Sequence, residues 1–312
     1  MKIITIIVPV FNESEVIPDF ALAVKNALGI LREGYHFQYL FIDDGSTDDT
    51  VEKLVDSFHD EEIKIIRLSR NFGKEAALSA GIDNANGDAT VIMDVDLQDP
   101  PGIISEFLKE WKFGYQVVYG VRGLRKEDSL TKRVSAGLFY RIFNAMSGIP
   151  IPEHAGDFRL LDKSVIIALR GLPERTRFTK GLYVWAGFKA KSVAYERPSR
   201  KRGKTKWNYW RLWNLALDGI LSFSHKPLRV FTYVGAMISI MSFVYGVNTV
   251  VKAVVFGIET KGYASLMVAI TFLGGLQLLF LGVIGEYIGR IFVEAKSRPR
   301  YLIMEKIESG EK

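Results

Sequence analysis

The residues with the clearest chemical potential are Asp94-Val95-Asp96, followed by Gln98 and then by Asp99-Pro100-Pro101. Two carboxylates one residue apart at a strand end can share a hard divalent cation, with diphosphate oxygens and water completing its shell. Such a cation neutralises the charge that builds on a departing diphosphate. An Asp-x-Asp alone is frequent, and a pair of turn carboxylates is the plainer reading. Here an apolar strand precedes the pair and a rigid Pro-Pro helix start follows it, which favours a site. Asp43 and Asp44 offer carboxylates that could accept hydrogen bonds from a ribose or a base edge, while Ser46 to Asp49 also suit a helix cap. Asp157, in Gly156-Asp157-Phe158-Arg159, reads as an ion pair with Arg159, a strand-end cap, or a group that orients an acceptor or takes its proton.

Anion-binding candidates form two basic stretches, one with Arg122, Arg125, Lys126, Lys132 and Arg133, the other with Arg197, Arg200, Lys201, Arg202, Lys204 and Lys206. Arginine forks suit phosphate oxygens, but charge runs are as often solvated or lipid-attracted faces. No Gly-x-Ser-x-Gly, full phosphate-loop Gly-x-x-x-x-Gly-Lys-Ser/Thr or His-Glu-x-x-His occurs. The four histidines are scattered, and only His154 lies near a candidate residue.

These residues need a scaffold that gathers them. Strand-length apolar runs at Ile3–Val10, Gln38–Ile42, Ile63–Leu68, Ala89–Met93 and Gln116–Val121 alternate with helix-like stretches at Ser14–Leu31, Thr47–Phe58, Lys74–Asn84 and Pro101–Phe113. That alternation predicts an α/β domain with a mostly parallel sheet covered on both faces. Ligands of such sheets bind past the carboxyl ends of the strands, where Phe11-Asn12-Glu13, Asp43 to Asp48, Ser69 to Lys74, Asp94 to Pro101 and the basic stretch from Arg122 fall.

The second half is different. Val230–Val251 and Tyr263–Gly285 each run without a charged side chain for about the length a bilayer core requires. They predict two transmembrane helices, with Gly285 and Gly289 spaced for close helix contact. Lys226 and Arg229 before the pair, and Arg290, Lys296, Arg298 and Arg300 after it, place both ends on the cytosolic side. Trp207, Trp210 and Trp213 recur at helical spacing just upstream and predict an interfacial helix. The expected division is a catalytic domain over 1–205, a juxtamembrane helix over 206–228, a two-helix membrane unit over 229–293 and a cytosolic tail over 294–312. The chain carries a formal charge of +6 and no cysteine. It therefore suits an anionic partner or membrane lipids and excludes disulfides, and no nucleic-acid module is present.

Taken together, Val8-Pro9-Val10-Phe11-Asn12-Glu13, Asp43-Asp44-Gly45-Ser46-Thr47-Asp48 and Asp94-Val95-Asp96-Leu97-Gln98-Asp99 resemble the inverting family-2 glycosyltransferases. Asn71-Phe72-Gly73-Lys74-Glu75-Ala76, Gly156-Asp157-Phe158-Arg159-Leu160 and Leu281-Gly282-Val283-Ile284-Gly285-Glu286 are similar to the dolichyl-phosphate mannose synthase branch with its bacterial polyprenyl-phosphate (bactoprenol) glucosyltransferases. The resemblance runs over essentially the whole chain. It implies a GT-A fold, a Mg²⁺ or Mn²⁺ cofactor, a UDP-sugar donor, a polyprenyl phosphate acceptor and a homo-oligomer in the inner membrane. It implies metal contacts at Asp94, Asp96 and Gln98 and donor contacts at Pro9, Glu13, Asp43, Asp44 and Lys74. It also implies catalytic roles for Asp96 and Asp157, and acceptor-phosphate contacts among Arg122, Arg133, Ser135, Arg200, Arg202 and Lys204. The Gln-x-x-Arg-Trp motif of processive synthases is absent, which points to a single transfer. Glucose is the expected sugar. Galactose, mannose, N-acetylglucosamine or amino-arabinose, a diacylglycerol acceptor, and a non-catalytic nucleotide-sugar-binding scaffold are the alternatives.

Overall fold

The computed structural model describes residues 1–122, 152, 155–175, 177–196, 226–256 and 262–308. Its centre is an eight-stranded sheet. In chain order the elements are β1 (Lys2–Val10), α1 (Ile17–Gly29), β2 (Tyr35–Asp43), α2 (Thr50–Ser57), β3 (Ile63–Leu68), α3 (Lys74–Asn84), β4 (Ala89–Ile92), α4 (Ile104–Lys112) and β5 (Val117–Arg122). They continue with β6 (Ala155–Asp162), α5 (Lys163–Arg170), α6 (Thr179–Trp185), β7 (Ala190–Tyr195), α7 (Lys226–Phe256), α8 (Tyr263–Lys296) and β8 (Ile303–Glu308).

The strand order is β7-β5-β6-β4-β1-β2-β3-β8. The expected parallel character holds for the pairs β4–β1, β1–β2, β2–β3 and β5–β7, while β6 and β8 run against their neighbours. The order steps from β1 to β2 and β3 on one side and to β4 on the other. The reversal opens a crevice at the carboxyl ends of β1 and β4, the usual ligand position of an open α/β sheet.

Strand β1 is buried on both faces, so its side chains divide between two cores. Ile4, Ile6 and Val8 join Phe20 of α1, Leu54 of α2 and Phe107 of α4 on one side. Ile7 joins Leu78 of α3, Leu169 of α5 and Leu182 of α6 on the other. Phe58 packs against Tyr39 and Phe41 at ring separations of 5.0 and 4.9 Å; burying an aromatic of this size contributes about 1.5–3 kcal/mol.

Pro9 sits in this central strand without breaking it. Its register partner is Ile42 of β2, whereas the ladder to β4 ends at Ile7. Ile7 accepts from Met93 N–H on the β4 side, so the alternation of a strand points the position of Pro9 to that same side, past the last rung. No ladder bond is lost, and the backbone there borders the crevice.

The tail expected over 294–312 includes β8, which pairs antiparallel with β3, Lys64 opposite Glu308. Arg300 and the Tyr301 hydroxyl meet Asp83 of α3 at 3.1 and 3.0 Å, and Ser69 N–H donates to the Leu302 carbonyl at 2.9 Å. At the foot of α8, the Glu294 carboxylate accepts from Arg175 N–H at 2.9 Å. The segment after the last helix therefore belongs to the sheet domain.

Helices form over both expected spans, but only Phe272–Lys296 among the described residues is long and apolar enough to cross a membrane, and none of its most apolar stretch is buried in protein. The apolar stretch described in α7 is the shorter Tyr233–Tyr245. The two helices touch near Gly235, beside Phe280. Open space flanks Gly285 and Gly289, so the contact expected from their spacing is not made among the described residues. Of the juxtamembrane helix expected over 206–228, residues 206–225 lie outside the described residues and 226–228 form the start of α7.

Candidate active site

The loops leaving β1, β2 and β3 are knitted together. Asn12 N–H donates to Ser46 Oγ at 2.9 Å, Thr47 N–H to Asn12 Oδ1 at 2.9 Å, and Glu13 N–H to Thr50 Oγ1 at 3.0 Å. Asn12 takes a left-handed backbone (φ 52°), as does Leu97 beyond β4 (φ 55°); such conformations outside glycine concentrate at functional sites. Gly45 has φ +76°, and a Cβ there would lie 2.6 Å from the Arg70 carbonyl carbon. Only glycine lets the β2 loop press against the β3 loop in this way.

Asp44 fastens that contact. Its two carboxylate oxygens accept from the Phe72 and Gly73 N–H groups, each at 2.8 Å. Burial raises its pKa, against the pull of these two bonds. Asp43 is fully buried, accepts from Ser46 N–H at 3.0 Å and faces Arg67 Nε at 3.3 Å. It braces the β2 loop and does not line the cleft.

A cleft of about 320 Å³ opens between the ends of β1 and β4, lined by Pro9, Val10, Phe11, Glu13, Asp44, Asn71, Gly73, Lys74, Ala77, Asp94, Val95 and Asp96. The expected Pro9, Glu13, Asp44, Lys74, Asp94 and Asp96 thus meet in one place. Helix α3 begins at this wall, and its N-terminal end favours anions.

A charge cluster occupies the cleft floor. Lys74 Nζ lies 2.7 Å from Asp94 Oδ1, 2.8 Å from Asp94 Oδ2 and 2.8 Å from Asp157 Oδ2. Lys180 Nζ stands 3.6 Å from Asp157 Oδ1. Burial opposes ionisation of Asp157, but the Lys74 and Lys180 ammonium groups, with Arg159, outweigh it and hold its pKa well below the usual carboxylate range. Burial raises that of Asp94, only partly offset by Lys74, and the charge on Asp157 adds to the rise. Burial also disfavours the charged form of Lys74, yet its two carboxylate partners raise its pKa above the ordinary lysine value. Glu75, next in sequence, accepts from Thr179 N–H at 3.0 Å and from the Thr179 hydroxyl, which docks the start of α6 on the start of α3.

Asp157 therefore pairs with lysines, whereas Arg159 is buried, donates to the Gly156 carbonyl at 2.6 Å and lies 3.9 Å above the Tyr183 ring. Gln98 is buried, and its N–H donates to Asp96 Oδ1 at 3.2 Å. Arg122 closes β5 opposite Tyr195. Arg133, Ser135, Arg200, Arg202 and Lys204 lie outside the described residues. Sequence reasoning missed Lys180, Glu75 and Thr179. Glu75 falls within the quoted Asn71 to Ala76 segment, but no local motif marks Lys180 or Thr179, because their roles depend on α6 packing beside α3.

The donor set fits a hard cation. Among the described residues no group of three His, Cys, Asp or Glu side chains converges on one point. Asp94 and Asp96 present carboxylates to the same cleft. Mg²⁺-type ions are held in this way, by one or two carboxylates with substrate phosphates and water supplying the rest.

Comparison with known proteins agrees with this architecture. Glycosyl transferase family 2 matches residues 5–170, and the GtrB C-terminal hairpin matches residues 226–291. An uncharacterised glycosyltransferase of Synechocystis sp. is 47% identical over 97% of this chain and 95% of its own. The bactoprenol glucosyl transferase of Shigella phage SfX is 45% identical over 97% and 99%. The prophage-derived bactoprenol glucosyl transferase of Shigella flexneri is 45% identical over 96% and 97%. Among solved structures, the glucosyl-3-phosphoglycerate synthase of Mycobacterium tuberculosis is 18% identical with a TM-score of 0.47 over 70% of this chain and 76% of that one, too remote to bear on activity. With its sheet, its Asp94/Asp96 cleft and near-full-length relatives of this kind, the chain belongs to glycosyl transferase family 2 and carries the GtrB-type C-terminal hairpin.

Proposed function

We propose that the chain transfers glucose from UDP-glucose to a polyprenyl phosphate with inversion, giving a lipid-linked glucose for cell-envelope glycan modification. The observation that carries this reading is the 45% identity, through both the cleft and the hairpin, to proteins named bactoprenol glucosyl transferase.

In this reading the donor enters between β1 and β4, with its nucleoside toward Pro9 and Glu13 and its diphosphate toward the start of α3. Asp94, Asp96 and Gln98 would hold Mg²⁺ or Mn²⁺, and the Gln98 N–H donates to Asp96 Oδ1. When bound, the cation neutralises the departing nucleoside diphosphate. Asp157 sits beside the donor carboxylates, linked to Asp94 through Lys74. Held ionised by two lysines, it is a weak proton acceptor and suits an orienting role. That matches a phosphate acceptor, whose second pKa near 6 leaves it largely ionised at neutral pH. A glycerol hydroxyl would require a stronger base.

The uncovered apolar face of α8 supports membrane attachment. The reading is completed by α7 and α8 as a two-span unit with both ends cytosolic, a juxtamembrane helix over 206–228, a homo-oligomer, and the basic residues from Arg122 to Lys204 facing the acceptor phosphate.

The test is transfer of radiolabelled glucose from UDP-glucose to undecaprenyl phosphate in detergent, with Mg²⁺, Mn²⁺ or EDTA. Metal-dependent lipid-linked product that is lost in Asp96→Asn is expected. Nucleotide binding without product across UDP-glucose, UDP-galactose, GDP-mannose and UDP-N-acetylglucosamine would leave only the binding-scaffold reading.

A further inference from the structure

The Lys74 ammonium lies almost equidistant from both oxygens of Asp94, at 2.7 and 2.8 Å, on the bisector of the carboxylate. A divalent ion chelated by Asp94 would take the same place, about 2.0–2.6 Å from those oxygens. The two cations exclude each other sterically and by charge. Lys74 nevertheless has somewhere to go. Its Nζ already contacts Asp157 Oδ2 at 2.8 Å, and its side chain is 44% exposed to the cleft. A small rotation frees Asp94 while keeping Asp157.

We propose that Lys74 is a tethered counter-ion that holds the cation position beside Asp94 and is displaced from it when a divalent cation arrives with its nucleotide. Two consequences follow. Without nucleotide the cleft takes up little metal, because the incoming ion must expel the Lys74 charge from Asp94. A nucleotide diphosphate changes that balance by adding oxygens to the metal and negative charge beside the displaced ammonium. Displacement also leaves Lys74 committed to Asp157, so donor occupancy is transmitted to the residue placed to face the acceptor. The main-chain start of α3 stays fixed meanwhile by Asp44 on Gly73 and by the Glu75–Thr179 contact, so only the Lys74 side chain moves. This inference rests on the reading that Asp94 and Asp96 hold the cation.

The test is Mn²⁺ uptake by the full-length chain in detergent, followed by the electron paramagnetic resonance signal of free Mn²⁺, without and with UDP. Lys74→Gln is expected to tighten Mn²⁺ binding without UDP by at least about tenfold, within the usual range of site–site coupling. Lys74→Arg keeps the charge and is expected to stay near the parent. The double variant Lys74→Gln/Asp94→Asn is expected to lose the gain, which ties it to Asp94. A Lys74→Gln chain that binds UDP with Mn²⁺ normally but takes up Mn²⁺ alone no better than the parent would overturn the inference and leave the metal reading intact. Absence of Mn²⁺ uptake by every chain, even with UDP, would overturn both.

Discussion

Removing the Asp44 carboxylate isolates what holds the cleft wall in place. Asp44→Ala deletes two hydrogen bonds of 2.8 Å from a buried charged acceptor to the Phe72 and Gly73 N–H groups. Bonds to charged groups contribute about 1.5–3 kcal/mol each, so their sum sets a ceiling of roughly 3–6 kcal/mol. Two effects lower it. Phe72 and Gly73 are only half-buried, so water can reach the freed N–H groups, and burial already disfavours the Asp44 charge. The expected loss is about 2–4 kcal/mol, or roughly 5–15 °C in midpoint for a domain of this size. Asp44→Asn keeps one acceptor but turns an amide N–H₂ toward the second backbone N–H, so it should fall between the parent and Asp44→Ala. Because Asn71, Gly73 and Lys74 line the cleft, UDP affinity should fall along with stability. Thermal unfolding in detergent and calorimetric UDP titration measure both. An Asp44→Ala midpoint within about 2 °C of the parent, with unchanged UDP affinity, would refute the claim that Asp44 anchors this wall.

Asp157 gives a pH expectation. Its folded pKa is depressed, so its contribution to stability is present above the unfolded value near 3.9 and is lost only as pH falls through the lower folded value. It stays ionised throughout an assay between about pH 5 and 8, where the acid limb of kcat/KM should instead follow the acceptor phosphate near pH 6. Asp157→Asn should lower the rate without moving that limb, and a limb that shifts or disappears in this variant would contradict the assignment. Asp83→Ala removes the contacts to Arg300 and Tyr301 and should cost about 1–3 kcal/mol in the docking of the C-terminal segment. Trypsin should then cleave faster after Lys296, Arg298 and Arg300, and an unchanged digestion rate would show that β8 holds without this clamp.

The sheet is legible in the sequence where short isoleucine- and valine-rich runs lie between polar turns. Ile3–Val10 and Ile63–Leu68 match their strands almost residue for residue, because their length and β-branched content favour a strand over a buried helix. Strand β6 was hidden, since Gly156, Asp157 and Arg159 interrupt its apolar run, and a buried arginine there is accommodated through the Gly156 carbonyl and the Tyr183 ring, neither of which a linear motif announces. Strand β8 was hidden for another reason: Ile303–Glu308 is a mostly exposed edge in which Glu305, Lys306 and Glu308 break up the apolar residues, and its partner β3 is distant in the chain. In the cleft, Asp94-Val95-Asp96 announced itself by position after a strand. The pairing of Lys74 with both Asp94 and Asp157 did not, because β6 must first lie beside β4 to bring Asp157 there.

The pairing of β8 with β3 also fixes an order of assembly. A ribosome completes the strands from β1 to β7 long before Ile303–Glu308 emerges, so the β3 edge stays open while α7 and α8 are synthesised. An open edge is a template for wrong partners, and its exposed time is set by the making and placing of both long helices. Pairing at this edge therefore waits until the strand that follows α8 has been synthesised. A chain whose GtrB-type hairpin is misplaced would leave that edge unpaired, which ties the finished sheet to the placement of the helices that precede β8.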